Sequence, residues 1–178
     1  MSVGQSHFAE RAAELRREFD RGFAEPVRLE AVSEVNLLTI RIGAQPHAIR
    51  LSEVAGLFAD KKVTRVPGCH PALRGIAGFR GALLPVYDLA LLLGHGGVQA
   101  PRWLVIAAGA PVALAFEAFV GQVRVPSTDI LPRAARADLP AHARDVVRTQ
   151  DFVGPIMHLP SVLDAIKALR PGAVPAKE

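Results

Sequence analysis

The sequence is short of the residues that mark several classes of protein. Its 178 residues include one cysteine, Cys69, so no disulfide can form within the chain, and this usage fits a cytoplasmic protein. Residues 1–19 contain no apolar stretch of signal-peptide length. The most apolar window, residues 103–116, is shorter than the ~20 residues of a membrane-spanning helix and is broken by a Gly-Ala-Pro turn. We therefore expect a soluble protein with no direct membrane insertion.

The chain also lacks the motifs of common catalytic and cofactor sites. It has no phosphate-binding P-loop, no glycine-rich dinucleotide fingerprint and no serine in a nucleophile elbow. Its six histidines show no metal-ligand spacing, and nothing near the Cys69-His70 pair completes a tetrahedral ligand set. These absences favour a binding or scaffold module, for which we predict no catalytic residue, no metal and no cofactor.

Charge of one sign is not concentrated anywhere in the sequence. The 21 Lys and Arg residues exceed the 17 Asp and Glu residues by four, and the arginines are scattered among carboxylates. A nucleic-acid-binding protein more often shows a basic stripe interleaved with aromatic residues, and aromatic residues are 6% of this chain. We therefore expect no nucleic-acid partner.

Residues 8–23 have the pattern of an amphipathic helix. Their apolar residues recur at spacings of three and four, which places them on one face: Phe8, Ala12, Leu15, Phe19 and Phe23. The helix could pack on its own domain, dock onto a partner, or belong to a flexible tail. We assign residues 1–33 to this helix and a linker.

From residue 34 onward the pattern is that of short strands separated by Gly and Pro. Apolar runs of β type cover residues 35–42, 47–51, 103–108, 112–116, 120–125 and 152–159. Residues 133–148 are rich in Ala and Arg and contain a proline, which predicts a surface loop or a frayed helix. The pattern as a whole predicts a mainly β fold with a few helices, either a barrel or a sandwich.

Two helical segments interrupt the strands. A short one covers residues 89–93. A C-terminal helix covers residues 161–169, with Ser161 as its predicted N-cap and Val162, Ile166 and Leu169 as its buried face. Residues 171–178 are predicted to be a flexible tail.

The stretch from Val63 to Leu89 carries the most specific pattern. Residues 63–66 alternate as a short strand, and a hairpin follows in which Arg80 and Gly81 form the turn between residues 75–79 and 82–86. Asp88 ends the second strand of the hairpin and is positioned to cap the helical turn after it. We assign structural roles to Gly81 and Asp88.

This stretch resembles the CheW-like domain, the domain of adaptors in bacterial chemosensory arrays. The pieces that carry the resemblance occur in order along the stretch: Val-Thr-Arg-Val-Pro from residue 63, Gly-Ile from residue 75, Phe-Arg-Gly from residue 79 and Leu-Pro-Val-Tyr-Asp-Leu from residue 84. The resemblance extends over residues 34–170, which we assign to one CheW-like domain. It implies two SH3-like five-stranded β-barrels that share a hydrophobic core.

The resemblance also implies a role and its partners. CheW-like adaptors bind the cytoplasmic tip of a chemoreceptor, a methyl-accepting protein, in a groove between the barrels. They also bind the regulatory domain of a CheA-type histidine kinase, end to end between barrels. Matched by position, the receptor-groove residues are Val54, Gly75 and Arg80. The implied location is cytoplasmic, in association with membrane receptor arrays.

The chain departs from the family pattern at several positions. The family has a glutamate that pairs with the hairpin arginine, and this chain has Gly56 there; Glu53 could substitute, or Arg80 could be free for a partner carboxylate. The residue before the arginine is Phe79 instead of leucine, and His158 and Pro160 stand within the last predicted strand region. The alternative function is a divergent CheW-like scaffold, or a competitor in another two-component system, that does not couple a kinase.

Overall fold

The computed structural model describes residues 33–67, 70–97, 101–132, 142–149 and 152–169. The predicted helix over residues 8–23, the predicted tail over residues 171–178 and Cys69 lie outside these residues. The described part of the chain contains eleven strands and two α-helices. The mainly β class predicted from the sequence is therefore confirmed.

The strands follow one another along the chain with few helical interruptions. They are β1 (Glu34–Ile42), β2 (Gln45–Arg50), β3 (Val54–Ala59), β4 (Leu73–Phe79), β5 (Ala82–Asp88), β6 (Trp103–Ala107), β7 (Ala113–Phe116), β8 (Ala118–Pro126), β9 (Ile130–Pro132), β10 (Ala143–Arg148) and β11 (Val153–Met157). The helices are α1 (Leu89–Leu92) and α2 (Leu159–Ala168).

The strands form two curled sheets. Sheet 1 has the order β8-β1-β2-β11-β10-β9, and sheet 2 has the order β3-β6-β7-β5-β4. Along the chain, β1 and β2 belong to sheet 1, the next five strands form sheet 2, and β8 to β11 complete sheet 1. Sheet 1 has six strands where five were predicted, because the three-residue strand β9 pairs with β10 at its edge.

Strand β1 shows why the two sheets share a core. Leu38, Ile40 and Ile42 alternate along one face and pack into a central cluster between the sheets, whereas Leu37 on the other face packs inside sheet 1. Because both faces are covered, residues 37–40 are buried without interruption. The central cluster also takes Leu114 and Phe116 from sheet 2 and the buried side chains of both helices.

The predicted hairpin is observed, with a two-residue turn between β4 and β5. Arg80 has φ +46° and Gly81 has φ +87°, and positive φ at both central positions is the geometry of a type I′ turn. This turn matches the right-handed twist of the strands that it joins. The predicted strand over residues 63–66 is wrong: Thr64 makes one isolated bridge, to Ile76, and Arg65 and Val66 after it are exposed.

Two further predictions need correction. Residues 143–148 form strand β10 between β9 and β11, and residues 133–141 lie outside the described residues. The C-terminal helix begins at Leu159, two residues before the predicted start, because the Nδ1 of His158 accepts a hydrogen bond from the Ser161 amide and Pro160 fits within the first turn. His158, and not Ser161, is therefore the N-cap of α2.

A buried histidine makes the stability of the fold depend on pH. His47 in β2 is 2% exposed, its Nδ1 donates to the Gln45 carbonyl oxygen at 3.1 Å, and its Nε2 has no hydrogen-bond partner in the described part of the chain. Burial lowers the pKa of His47 below its ordinary value of 6.5, and the neighbouring His95 ring lowers it further.

We expect the free energy of unfolding to fall as the pH is lowered through 6.5. Below that pH the unfolded chain takes up a proton that folded His47 resists, so stability is lost until the lower pKa of the folded state is passed. Urea unfolding at about pH 7.5 and about pH 5 measures this difference, and His47→Gln should reduce it. An equal loss in the variant would rule out His47 as the cause.

Candidate partner-binding site

An open groove lies where the two sheets and helix α2 meet, and we call it the junction groove. Its volume is about 280 Å³. It is lined by the turn before β3, by the turn after β6 and by the start of α2, through Ser52, Glu53, Ala107, Ala108, Gly109, Leu159, Pro160 and Leu163. These three segments are far apart in the sequence, and the fold brings them together.

Glu53 holds the walls of the junction groove in place. Its Oε2 accepts a hydrogen bond from the Leu159 amide at 2.7 Å, and its main-chain oxygen accepts one from the Ala108 amide at 2.9 Å. A carboxylate at the first amides of a helix is favoured by the helix dipole. The Glu53 carboxylate is therefore bonded to the start of α2. It does not pair with Arg80, which was the alternative for this side chain.

The shape of the junction groove follows from small residues on one wall. Ala107, Ala108 and Gly109 leave space that larger side chains would fill, and a Cβ added at Gly109 would lie 3.7 Å from the Cδ1 of Leu163. The opposite wall is the first turn of α2, which presents Leu159, Pro160 and Leu163. This geometry suits an aliphatic side chain from a partner.

Val54, the first predicted groove residue, lies beside the junction groove. It follows Glu53 directly and pairs with Ala107 across β3 and β6. Its side chain is half-buried and packs against the central cluster. Val54 therefore adjoins two residues that line the groove, Glu53 and Ala107, without lining it itself.

Arg80, the second predicted groove residue, stands at the tip of the β4–β5 hairpin. Its side chain is exposed, and within the described residues it makes no hydrogen bond or ion pair. Leu83, three residues further on, is 72% exposed and pairs with Gly78 on the neighbouring strand. The tip thus offers a guanidinium next to an apolar side chain.

Gly75, the third predicted groove residue, is buried. It has φ +145°, and a Cβ added there would overlap the carbonyl oxygen of Thr64 and lie 2.6 Å from its carbonyl carbon. The segment after β3 forms an antiparallel bridge with β4 at this point, where the Ile76 amide donates to the Thr64 oxygen at 2.9 Å. Only glycine permits this close approach.

The three predicted residues occupy different positions in sheet 2: Val54 begins β3, Gly75 lies within β4, and Arg80 is in the turn after β4. A single row of paired residues crosses sheet 2 from Gly56 through Ile106, Ala113 and Val86 to Gly75. Val54 and Gly75 thus belong to the two edge strands of sheet 2, β3 and β4, with three strands between them in the hydrogen-bonded order. Val54 is adjacent in sequence to Glu53 of the junction groove, and neither Gly75 nor Arg80 lines that groove.

Gly56 and Phe79, two departures from the family pattern, are linked through the ring of Phe58. A Cβ at Gly56 would lie 2.9 Å from the Cε2 of Phe58, so glycine makes room for that ring. The rings of Phe58 and Phe79 meet at 5.0 Å between centroids, and Lys61 Nζ lies 5.5 Å and 5.9 Å from them. This aromatic pair joins the edge strands β3 and β4, and sequence reasoning did not find it.

Asp88 is fully buried at the start of α1. Its Oδ1 accepts hydrogen bonds from the amides of Ala90 at 3.0 Å and Leu91 at 3.2 Å, and its Oδ2 accepts one from Arg74 Nη1 at 2.8 Å. The carboxylate therefore caps the helix and neutralises a guanidinium at the same time.

The described residues bear on metal binding through their side chains and on membrane insertion through their helices. They contain no group of three or more His, Cys, Asp or Glu side chains that could hold a metal ion. No helix among them is both long enough and apolar enough to cross a lipid bilayer.

Comparison with known proteins decides the family. The family model of the CheW-like domain matches residues 36–167. The chain belongs to the CheW-like domain family. Proteins of this family are scaffolds or adaptors in chemotaxis-type signalling.

One curated relative and one solved structure are similar to this CheW-like chain. Protein PilI of Pseudomonas aeruginosa is 32% identical over 69 residues, a match that spans 39% of each chain. The crystal structure of the scaffolding protein TtCheW from Thermoanaerobacter tengcongensis superposes with a TM-score of 0.63 at 18% identity, over 71% of this chain and 90% of that one. The latter likeness shows the fold, which is the predicted pair of SH3-like barrels.

Proposed function

We propose that this chain is a non-catalytic adaptor in a bacterial chemosensory array. In this role it binds the cytoplasmic tip of a methyl-accepting chemoreceptor and the regulatory domain of a CheA-type histidine kinase. It would act in the cytoplasm, at arrays of membrane receptors. The observation that carries the proposal is the junction groove, an apolar opening at the meeting point of the two sheets.

The groove has the chemistry that a receptor helix needs. An aliphatic side chain that becomes fully buried there contributes about 1.5–3 kcal/mol. Val54 packs against the central cluster beside the groove, and Arg80 supplies a second contact at the hairpin tip through charge-assisted hydrogen bonds to a partner carboxylate. Gly75 contributes indirectly, since it lets the segment that contains Thr64 pack on the hairpin.

Filling the junction groove should weaken receptor binding. Ala108 is exposed on its wall, so Ala108→Trp should place an indole in the opening without disturbing the core. We expect at least a tenfold weaker Kd for the cytoplasmic fragment of a methyl-accepting receptor from the same organism, a loss of about 1.4 kcal/mol. Titration calorimetry measures this.

A matched control and a second variant complete the experiment. Ala168→Trp makes the same change at an exposed position at the far end of α2 and should bind normally. Arg80→Ala should weaken binding and leave the melting temperature nearly unchanged, because Arg80 has no partner within the described residues. Normal binding by Ala108→Trp would remove the groove as the receptor site.

A second candidate function is a CheW-like scaffold that does not couple a kinase, either in another chemosensory system or as a competitor in another two-component system. Gly56 favours it, since the glutamate expected to pair with the hairpin arginine is replaced and an aromatic contact joins the strands instead. The similarity to PilI is compatible with either function. Failure of this chain to bind any CheA-type kinase of the same organism would support the second candidate.

A further inference from the structure

A charged pocket continues the junction groove on its far side. The pocket has a volume of about 240 Å³ and is lined by Arg50, Glu53, Arg144, Asp145, Ile156, Met157 and His158. Glu53 lines both spaces, and His158 of the pocket directly precedes Leu159 of the groove. One side chain thus separates an apolar opening from a charged one.

The pocket contains two carboxylates and two guanidiniums, and three of these four groups already have a hydrogen-bond partner. Arg50 Nη2 donates to Asp145 Oδ2 at 2.6 Å, and both side chains are largely buried. Glu53 accepts from the Leu159 amide. Arg144 is exposed and makes no hydrogen bond or ion pair with the described residues. The guanidinium of Arg144 is therefore the charge that the pocket leaves for a partner.

We propose that this surface selects helical partner segments in which a carboxylate stands one turn away from an aliphatic side chain. The aliphatic side chain enters the junction groove, and the carboxylate binds Arg144. Residues three or four apart on a helix have Cβ atoms about 5–6 Å apart, a span that bridges two openings separated by one side chain. The inference rests on the proposed function and names the chemistry of the partner of that site.

The charges around Arg144 favour a carboxylate over a phosphate. A guanidinium binds a carboxylate through two parallel hydrogen bonds. A phosphate group carries about −1.5 to −2 charge, and the carboxylates of Glu53 and Asp145 line the same pocket as Arg144. A singly charged side chain meets less repulsion there.

Arg144→Ala tests the inference against a control on the same strand. Arg148 is also exposed in β10, four residues on, and does not line the pocket, so Arg148→Ala removes the same charge elsewhere. With the receptor cytoplasmic fragment as probe, we expect Arg144→Ala to weaken Kd about three- to tenfold at low salt, and Arg148→Ala to leave it near the wild-type value. The difference should shrink at about 0.5 M NaCl, where exposed charges are screened.

The outcomes separate this inference from the proposed function. If Ala108→Trp abolishes binding and Arg144→Ala binds like wild type, the groove is the receptor site and the assignment of Arg144 is wrong. If Arg144→Ala and Arg148→Ala lose affinity equally, the binding depends on the overall positive charge of the surface. The assignment of Arg144 to the partner carboxylate is then wrong. If Ala108→Trp binds normally, the proposed site itself fails, and the inference fails with it. Circular-dichroism melting confirms that each variant is folded.

Discussion

Replacing Asp88 with alanine is expected to lower the free energy of unfolding by about 3–5 kcal/mol, the range for breaking a buried ion pair. The Asp88 side chain has no exposed surface, and it engages Arg74 together with the first amides of α1. The substitution removes the 2.8 Å ion pair and also the cap, which alone contributes about 1 kcal/mol. A loss of this size is a large part of the 5–15 kcal/mol typical of a folded domain.

Asp88→Asn separates the two contributions. Asparagine is as good an N-cap as aspartate but carries no charge, so it should keep the cap of α1 and lose the ion pair with Arg74. We expect its stability to lie between those of Asp88→Ala and wild type in urea unfolding. A loss below about 1 kcal/mol for Asp88→Ala would contradict the structural role of this carboxylate.

Gly75→Ala is the second substitution with a large expected effect. The added methyl group would overlap the Thr64 carbonyl oxygen, and alanine rarely adopts the φ of +145° at this position. Because the clash is with main chain, a side-chain rotation cannot relieve it. We expect a loss of about 2–4 kcal/mol in the free energy of unfolding.

Gly78 in the same strand supplies the matched control. It is exposed, and a Cβ added there meets nothing within 4 Å. Gly78→Ala should therefore change the unfolding free energy by less than about 1 kcal/mol. If the two variants unfold at the same urea concentration, the close approach at Gly75 does not govern stability, and Gly75 would then be open to a direct role in binding.

The parts of the fold that the sequence predicts well are those with a strong local signal. The two-residue turn at Arg80 and Gly81 sits between two apolar runs, and the required positive φ at both positions follows from the twist of the hairpin. The β1 run ends at Gly43 as predicted. In these places local chemistry and the final fold agree.

The parts that were missed depend on distant neighbours. Strand β10 has a composition typical of a loop or helix, and it is a strand because β9 and β11 pair with it on both sides. The segment at Thr64 has strand-like residues but pairs with β4 at only one antiparallel bridge, to Ile76. Composition does not reveal either arrangement.

The candidate site shows the same division. The family resemblance predicts Val54 as a receptor-groove residue, and in the structure Val54 pairs with Ala107, which lines the junction groove. The groove itself joins segments more than 50 residues apart, as the hydrogen bond between Glu53 and Leu159 shows. The coupling of Gly56 with Phe79 likewise depends on the Phe58 ring between them. No local pattern marks these long-range contacts.

The most direct test of the adaptor role is whether this chain bridges a receptor and a kinase. A methyl-accepting receptor fragment is immobilised on beads, and retention of a CheA-type kinase from the same organism is measured with and without the chain. We predict that wild type increases kinase retention and that Ala108→Trp does not, although this variant still binds the kinase in solution. Kinase retention that is the same with and without the wild-type chain would contradict the account.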